Sequence, residues 1–152
     1  MEEWEPDHSI LFGIIGGIGP AATSKLVEYI QNLVPATQDS DHIPLLIYMN
    51  PQIPNNNAAV LGGLSSIPAM IYTAKRLQKA GCTHLVIPCN TAHVFYDQVQ
   101  TSVSTPLLNM TTLTVDMLHE RGFHTVGLMG TLGTLQSKVY DTALLQAGTL
   151  LW

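Results

Sequence analysis

The chain has 152 residues, 46% of them hydrophobic and 11% charged, which is enough apolar surface for a real core and too little charge for disorder. A formal net charge of −5, with six Lys and Arg in all, speaks against nucleic acid or an anionic membrane surface as a partner. Two cysteines, an acidic start from Met1 to Asp7 and no apolar run near the ~20 residues that span a bilayer lead to the expectation of a soluble cytoplasmic protein.

Taken in order, the chain alternates strands and helices. Ser9 to Ile15 reads as a strand, and Gly16-Gly17-Ile18-Gly19-Pro20 turns into a helix from about Ala21 to Leu33. Pro20 suits a first helical turn, where its missing N–H costs nothing. Ile43 to Met49 is a second strand, followed by the polar loop Asn50-Pro51-Gln52-Ile53-Pro54-Asn55-Asn56-Asn57, too long for a minimal connection. Ile67 to Ala80 reads as a helix closed by Gly81, with Lys75, Arg76 and Lys79 on a solvated face. An apolar run, Leu85 to Ile87, ends in Pro88-Cys89-Asn90-Thr91-Ala92-His93 and a helix to about Val103. Pro106 to Met110 is a short strand, Thr112 to Arg121 a helix stopped by Gly122, Thr125 to Met129 a strand, and Leu135 to Gln146 a last helix. Strands alternating with helices predict an open parallel sheet with helices on both faces, an α/β fold.

Within that frame Cys89 stands out. Open α/β sheets place their reactive groups just outside the carboxyl ends of the strands, and Cys89 sits there. Asn90 or Thr91 can cap the helix that follows. A thiol beside a helix N-terminus meets the positive potential of unpaired N–H groups, which favours thiolate. The competing interpretation is a buried structural cysteine.

An internal repeat adds to this. Gly13-x-x-Gly16-x-x-Gly19 follows the first strand, and Gly127-x-x-Gly130-x-x-Gly133 recurs at the strand near Thr125. Each is followed by Ser-Lys, at Ser24-Lys25 and Ser137-Lys138. Duplication explains both; the counterpart of Cys89 would then lie beyond Trp152. The expected organisation is one complete lobe, about 1–110, and a partial second lobe, about 111–152, of one strand and one helix.

Gly16-Gly17-Ile18-Gly19-Pro20-Ala21-Ala22-Thr23, Asn50-Pro51-Gln52-Ile53-Pro54, Pro88-Cys89-Asn90-Thr91-Ala92-His93 and Gly130-Thr131-Leu132-Gly133-Thr134 resemble the aspartate racemase branch of the aspartate/glutamate racemase family, over Ile10 to Gly148. The resemblance implies cofactor-independent racemisation of a small amino acid, in a cleft between two similar α/β lobes, by two cysteines flanking the substrate Cα. Inverting a stereocentre needs a base on one face and an acid on the other, and aimed donors must stabilise the enediolate-like charge. Cys89 matches the family's first cysteine. Asn90 and Thr91 match the neighbours that hold the α-amino and carboxylate groups. Ile18, Asn50 and Gln52 match positions lining the cleft, and Thr131 and Thr134 look like carboxylate contacts from the second lobe. Ordinary turn chemistry is the alternative for each, and the stronger one for Gln52 and Thr131 on residue type alone. Members of the family usually dimerise, and a partial lobe would leave apolar surface open, so a homo-oligomer is expected.

Two departures stand against the family pattern. A second catalytic cysteine is missing: Cys82 lies at the far end of Cys89's strand, roughly 20 Å away at ~3.3 Å per residue, and reads as structural. The loop after Gln52-Ile53-Pro54 carries Asn55-Asn56-Asn57 where aspartate racemases usually have an acidic residue and an arginine, which puts aspartate in doubt as the substrate. Other readings are weaker. Gly17-x-Gly19-x-x-Ala22 is a loose dinucleotide fingerprint, but Met49-Asn50 stands where a ribose-binding acid belongs. Cys89 and His93 lie one helical turn apart, which admits a thiol hydrolase or a metal site, yet the remaining ligands zinc needs are lacking, and no metal is expected. A non-catalytic remnant or small-molecule binding module is the alternative of a different class.

Overall fold

The computed structural model describes residues 9–152; the acidic segment from Met1 to Asp7 lies outside the described residues. Three parallel strands, β1 (Phe12–Gly16), β2 (Leu45–Met49) and β3 (His84–Val86), form the sheet in the order β2-β1-β3. Phe12 lies opposite Leu45 on one side and His84 on the other, so the apolar centre of β1 is covered by both neighbours. Helices α1 (Pro20–Leu33) and α3 (Ile67–Lys79) pack on this sheet. Gly16 closes on Thr23 of α1, whereas Ile15 is buried with Met70, Ala74 and Leu77 of α3. Successive strand residues face opposite ways, so the two helices cover opposite faces, as the alternating sequence pattern predicts.

Several elements are shorter than their sequence patterns. The expected strand Pro106 to Met110 is a single parallel bridge between Leu85 and Leu107. Side chains occupy the backbone of Leu107, whose N–H donates to Gln100 Oε1 (2.6 Å) and whose carbonyl accepts from Tyr96 Oη (2.8 Å). Asn109 then caps α5 (Met110–Glu120) by accepting from the N–H groups of Thr111 and Thr112, which starts that helix two residues early. The expected helix from Thr91 to Val103 is a 3-10 segment, Thr91–Phe95, followed by α4 (Tyr96–Gln100). The polar loop after β2 contains the unpredicted α2 (Asn56–Val60).

A second, smaller cluster centres on Val115, Tyr140 and Leu144. Beside it β4 (Thr125–Val126) pairs in parallel with β5 (Leu150–Leu151), a pairing absent from the sequence reading. The expected strand to Met129 therefore stops at Val126, because its partner is only two residues long. The expected helix Leu135 to Gln146 is broken into α6 (Leu132–Gln136) and α7 (Asp141–Gln146). Lys138 takes a φ of 54°, left-handed backbone that no helix continues through. Ser137-Lys138 thus sits in a break, while its echo Ser24-Lys25 lies inside α1. Among the described residues no helix is long and apolar enough to cross a membrane.

Candidate active site

The site is built where β1 and β3 end. Gly17 has a φ of 94°, and a side chain there would lie 2.5 Å from the Asn50 carbonyl oxygen, so only glycine lets the first turn pass beneath the loop after β2. Its N–H donates to Thr23 Oγ1 (3.1 Å), tying the turn to α1. Cys89 follows β3 and is half-buried. It opens onto two hollows of about 810 and 510 Å³, both of which also touch Ile18 of the first glycine turn and Thr91 and Thr131. The sulfur is thus at a crevice between the two glycine turns, not sealed in the core.

Three threonines join the halves of this crevice. Thr91 Oγ1 lies 2.8 Å from Thr134 Oγ1 and 3.0 Å from Thr131 Oγ1, and those two are 3.0 Å apart. Thr131 also caps α6 by accepting from the Thr134 N–H. Each hydroxyl has one proton and two lone pairs, so the trio can satisfy itself in a ring and turn donors outward when an anion arrives. Two further bonds cross in the same direction. Gly133 N–H donates to Asn57 Oδ1, and Tyr140 Oη donates to Asn90 Oδ1. Neither Asn90 nor Thr91 caps the helix, contrary to the sequence expectation; their side chains reach across the crevice instead. Burial pushes the Tyr140 hydroxyl above its usual range, keeping it a donor at neutral pH.

Both ring nitrogens of His93 bond to backbone. Met110 N–H donates to its Nε2 (3.1 Å), so Nε2 carries no proton and Nδ1–H donates to the Cys89 carbonyl (2.9 Å). Burial lowers its pKa, holding the neutral ring in that one tautomer. With both nitrogens engaged by backbone, His93 is neither a base for Cys89 nor a metal ligand; it ties the turn that carries Cys89 to the start of α5. Among the described residues no three His, Cys, Asp or Glu side chains converge on one point.

Each residue of the triple asparagine has its own task. Asn55 caps α2 by accepting from Ala58 N–H (3.1 Å), Asn57 holds Gly133, and Asn56, 3% exposed, directs Nδ2 at Cys89 Sγ (3.8 Å). Asn56 Oδ1 is buried with no partner among the described residues. Asn56 and Asn57, marked in the sequence only as standing where aspartate racemases carry an acidic residue and an arginine, and Tyr140, inside an expected helix, were not among the expected site residues. Asn50 and Gln52 line neither hollow. Asn50 spends its amide on Thr73 Oγ1 (3.3 Å) and on the Gln52 N–H (3.1 Å), and Gln52 is exposed. Cys82 is buried at the other end of β3, where only a glycine at position 13 leaves room for its sulfur, and burial pushes its thiol pKa up.

Fold and site together define an α/β protein with a thiol at the carboxyl end of a parallel sheet, in a hollow that a cluster of threonine hydroxyls also lines. The sequence profile of the Asp/Glu/Hydantoin racemase family matches residues 15–150. A broad specificity amino-acid racemase, RacX, from Bacillus subtilis is 33% identical over 138 residues, covering 88% of this chain and 60% of the relative. Aspartate racemase from Picrophilus torridus superimposes with a TM-score of 0.88 at 31% identity, over 94% of this chain and 62% of that one. An aspartate racemase homologue from Pyrococcus horikoshii gives 0.77 at 25% identity, over 93% and 62%. The chain belongs to the Asp/Glu/hydantoin racemase family. It spans about 60% of the length of these relatives.

Proposed function

We propose that this chain carries the Cys89 half of a cofactor-independent amino-acid racemase site. The observation that supports it best is the position of Cys89, open to a crevice that the Thr91–Thr131–Thr134 hydroxyl cluster also lines. In this reading the substrate carboxylate lies on the threonine hydroxyls and its Cα faces Cys89. The thiolate takes the α-proton; the C–H bond breaks, S–H forms, and the electron pair moves into the carboxylate as an enediolate. Hydroxyl donors that turn to that carboxylate when it binds are then in place to stabilise the charge added in the proton-transfer step. Return of the proton from Cys89 restores the starting enantiomer, so inversion needs a second donor on the opposite face. Cys82 does not supply it from the far end of β3.

We further read the two side-chain clusters as a first lobe, about 1–110, and the start of a second, about 111–152. A binding module without turnover is the competing reading, favoured by the buried state of the other thiol. Incubating the chain in D2O with L- and D-Asp, Glu, Gln and Ser separates the two. Proton NMR reads α-proton exchange, and chiral chromatography reads inversion. The racemase reading expects exchange that falls by roughly 10²-fold or more in Cys89→Ala. Binding with no exchange would instead establish the module.

A further inference from the structure

We propose, resting on the racemase reading, that Asn56 positions the Cys89 thiolate and selects substrates with neutral, donor-bearing side chains over acidic ones. Asn56 opens α2, is 3% exposed and lines the 510 Å³ hollow together with Cys89. Its Nδ2 is 3.8 Å from Cys89 Sγ, the range of a sulfur hydrogen bond. A thiolate accepts an N–H bond more strongly than a thiol does, so the amide orients the sulfur best in the form that takes the α-proton. With Nδ2 committed to sulfur, Oδ1 remains as a desolvated acceptor without a partner among the described residues. A buried acceptor left bare is costly, and a substrate N–H or O–H placed against it removes that cost.

The charges agree with this choice. No residue lining either hollow is Lys, Arg, His, Asp or Glu. A second carboxylate on the substrate would meet a thiolate and a bare carbonyl oxygen and find no cation. An amide or hydroxyl side chain meets the acceptor it needs.

Cys89 alkylation by iodoacetamide tests both halves on the intact chain, with no turnover required. Asn56→Asp keeps the shape and loses the donor; Asn56→Ala removes the amide, and circular dichroism establishes that each variant is folded. Dividing the rate at pH 7 by the rate at pH 9.5 cancels simple changes of access. That ratio is expected to drop several-fold in both variants; an unchanged ratio in two folded variants would overturn the positioning role. L-Gln and L-Ser are expected to protect Cys89 at concentrations at least tenfold below L-Asp and L-Glu, a preference lost in Asn56→Ala. Equal protection by the acidic pair would overturn the selectivity and leave the racemase reading standing. Protection by none of the four would overturn that reading, and the selectivity with it.

Discussion

At the scale of single residues, the two thiols have opposite environments and should react differently. Cys89 opens to a crevice, whereas Cys82 is 5% exposed and its thiol pKa is raised by burial. Thiolate character and access govern alkylation. Mass spectrometry of the native chain is therefore expected to find one adduct, at Cys89, and two after denaturation; rapid native labelling of Cys82 would contradict the packing against Gly13. His93 makes a prediction about pH. Its folded pKa is lowered by burial, so the unfolded chain binds the proton more readily, and stability rises with pH. The contribution is complete above the unfolded value near 6.5 and is lost as the pH falls from there through the lowered folded value. Protonation also strips Nε2 of the lone pair that accepts from Met110 N–H. Urea denaturation between pH 7.5 and 5 should show a shallower loss of stability in His93→Gln than in the parent. An equal slope would mean that the ring is not buried in its neutral form.

At the scale of elements, local patterns and distant packing part company. The β1–α1–β2 order, α3 and the turn after β3 were legible because glycine turns, apolar runs and helix stops are written within a few residues of one another. The breaks were not. Lys138 is a good helix former at a left-handed position, and nothing adjacent to it announces the turn. The jobs of Asn56 and Asn57 depend on partners 33 and 76 positions away, and Tyr140 meets Asn90 across 50. Of the expected site residues, Ile18, Cys89, Asn90, Thr91, Thr131 and Thr134 line the larger hollow, while Asn50 and Gln52 remain in their own turn. The contacts between elements can be tested directly. Gly17→Ala forces a side chain against Asn50 at a positive φ, and is expected to cost at least ~2 kcal/mol in urea denaturation. Thr134→Val removes the hydroxyl bonded to both Thr91 and Thr131 and should cost about 1–3 kcal/mol, since buried partners lose a bond. A neutral result there would show that the three hydroxyls do not act as one cluster.

At the scale of the molecule, two of the places where the described residues leave apolar surface open lie beside the main sheet. β2 is an edge strand, and Leu46, Ile47 and Met49 on it are 36%, 40% and 41% exposed. A shallow apolar groove of about 280 Å³ runs between α1 and α5, walled by Leu26, Ile87, Leu108, Leu113 and Met117. Edge strands offer unpaired N–H and C=O groups to any matching strand, and natural sheets blunt them with charge; β2 carries none within Leu45–Met49. The acidic balance of the whole chain does little against this, because charge repulsion is spread over the surface whereas strand pairing is local. A second copy presenting the same edge satisfies both rows of backbone groups and buries both sets of side chains, the self-complementary contact of a twofold dimer. Sedimentation velocity is expected to find species heavier than the monomer at micromolar concentration. Ile47→Lys places a charge on the exposed edge, opposite Ile14 in the ladder, and should shift the distribution toward monomer while circular dichroism stays the same. A parent chain that sediments as a monomer up to high concentration would show that the edge is already guarded. An Ile47→Lys variant that stays associated would move the contact to the groove between α1 and α5.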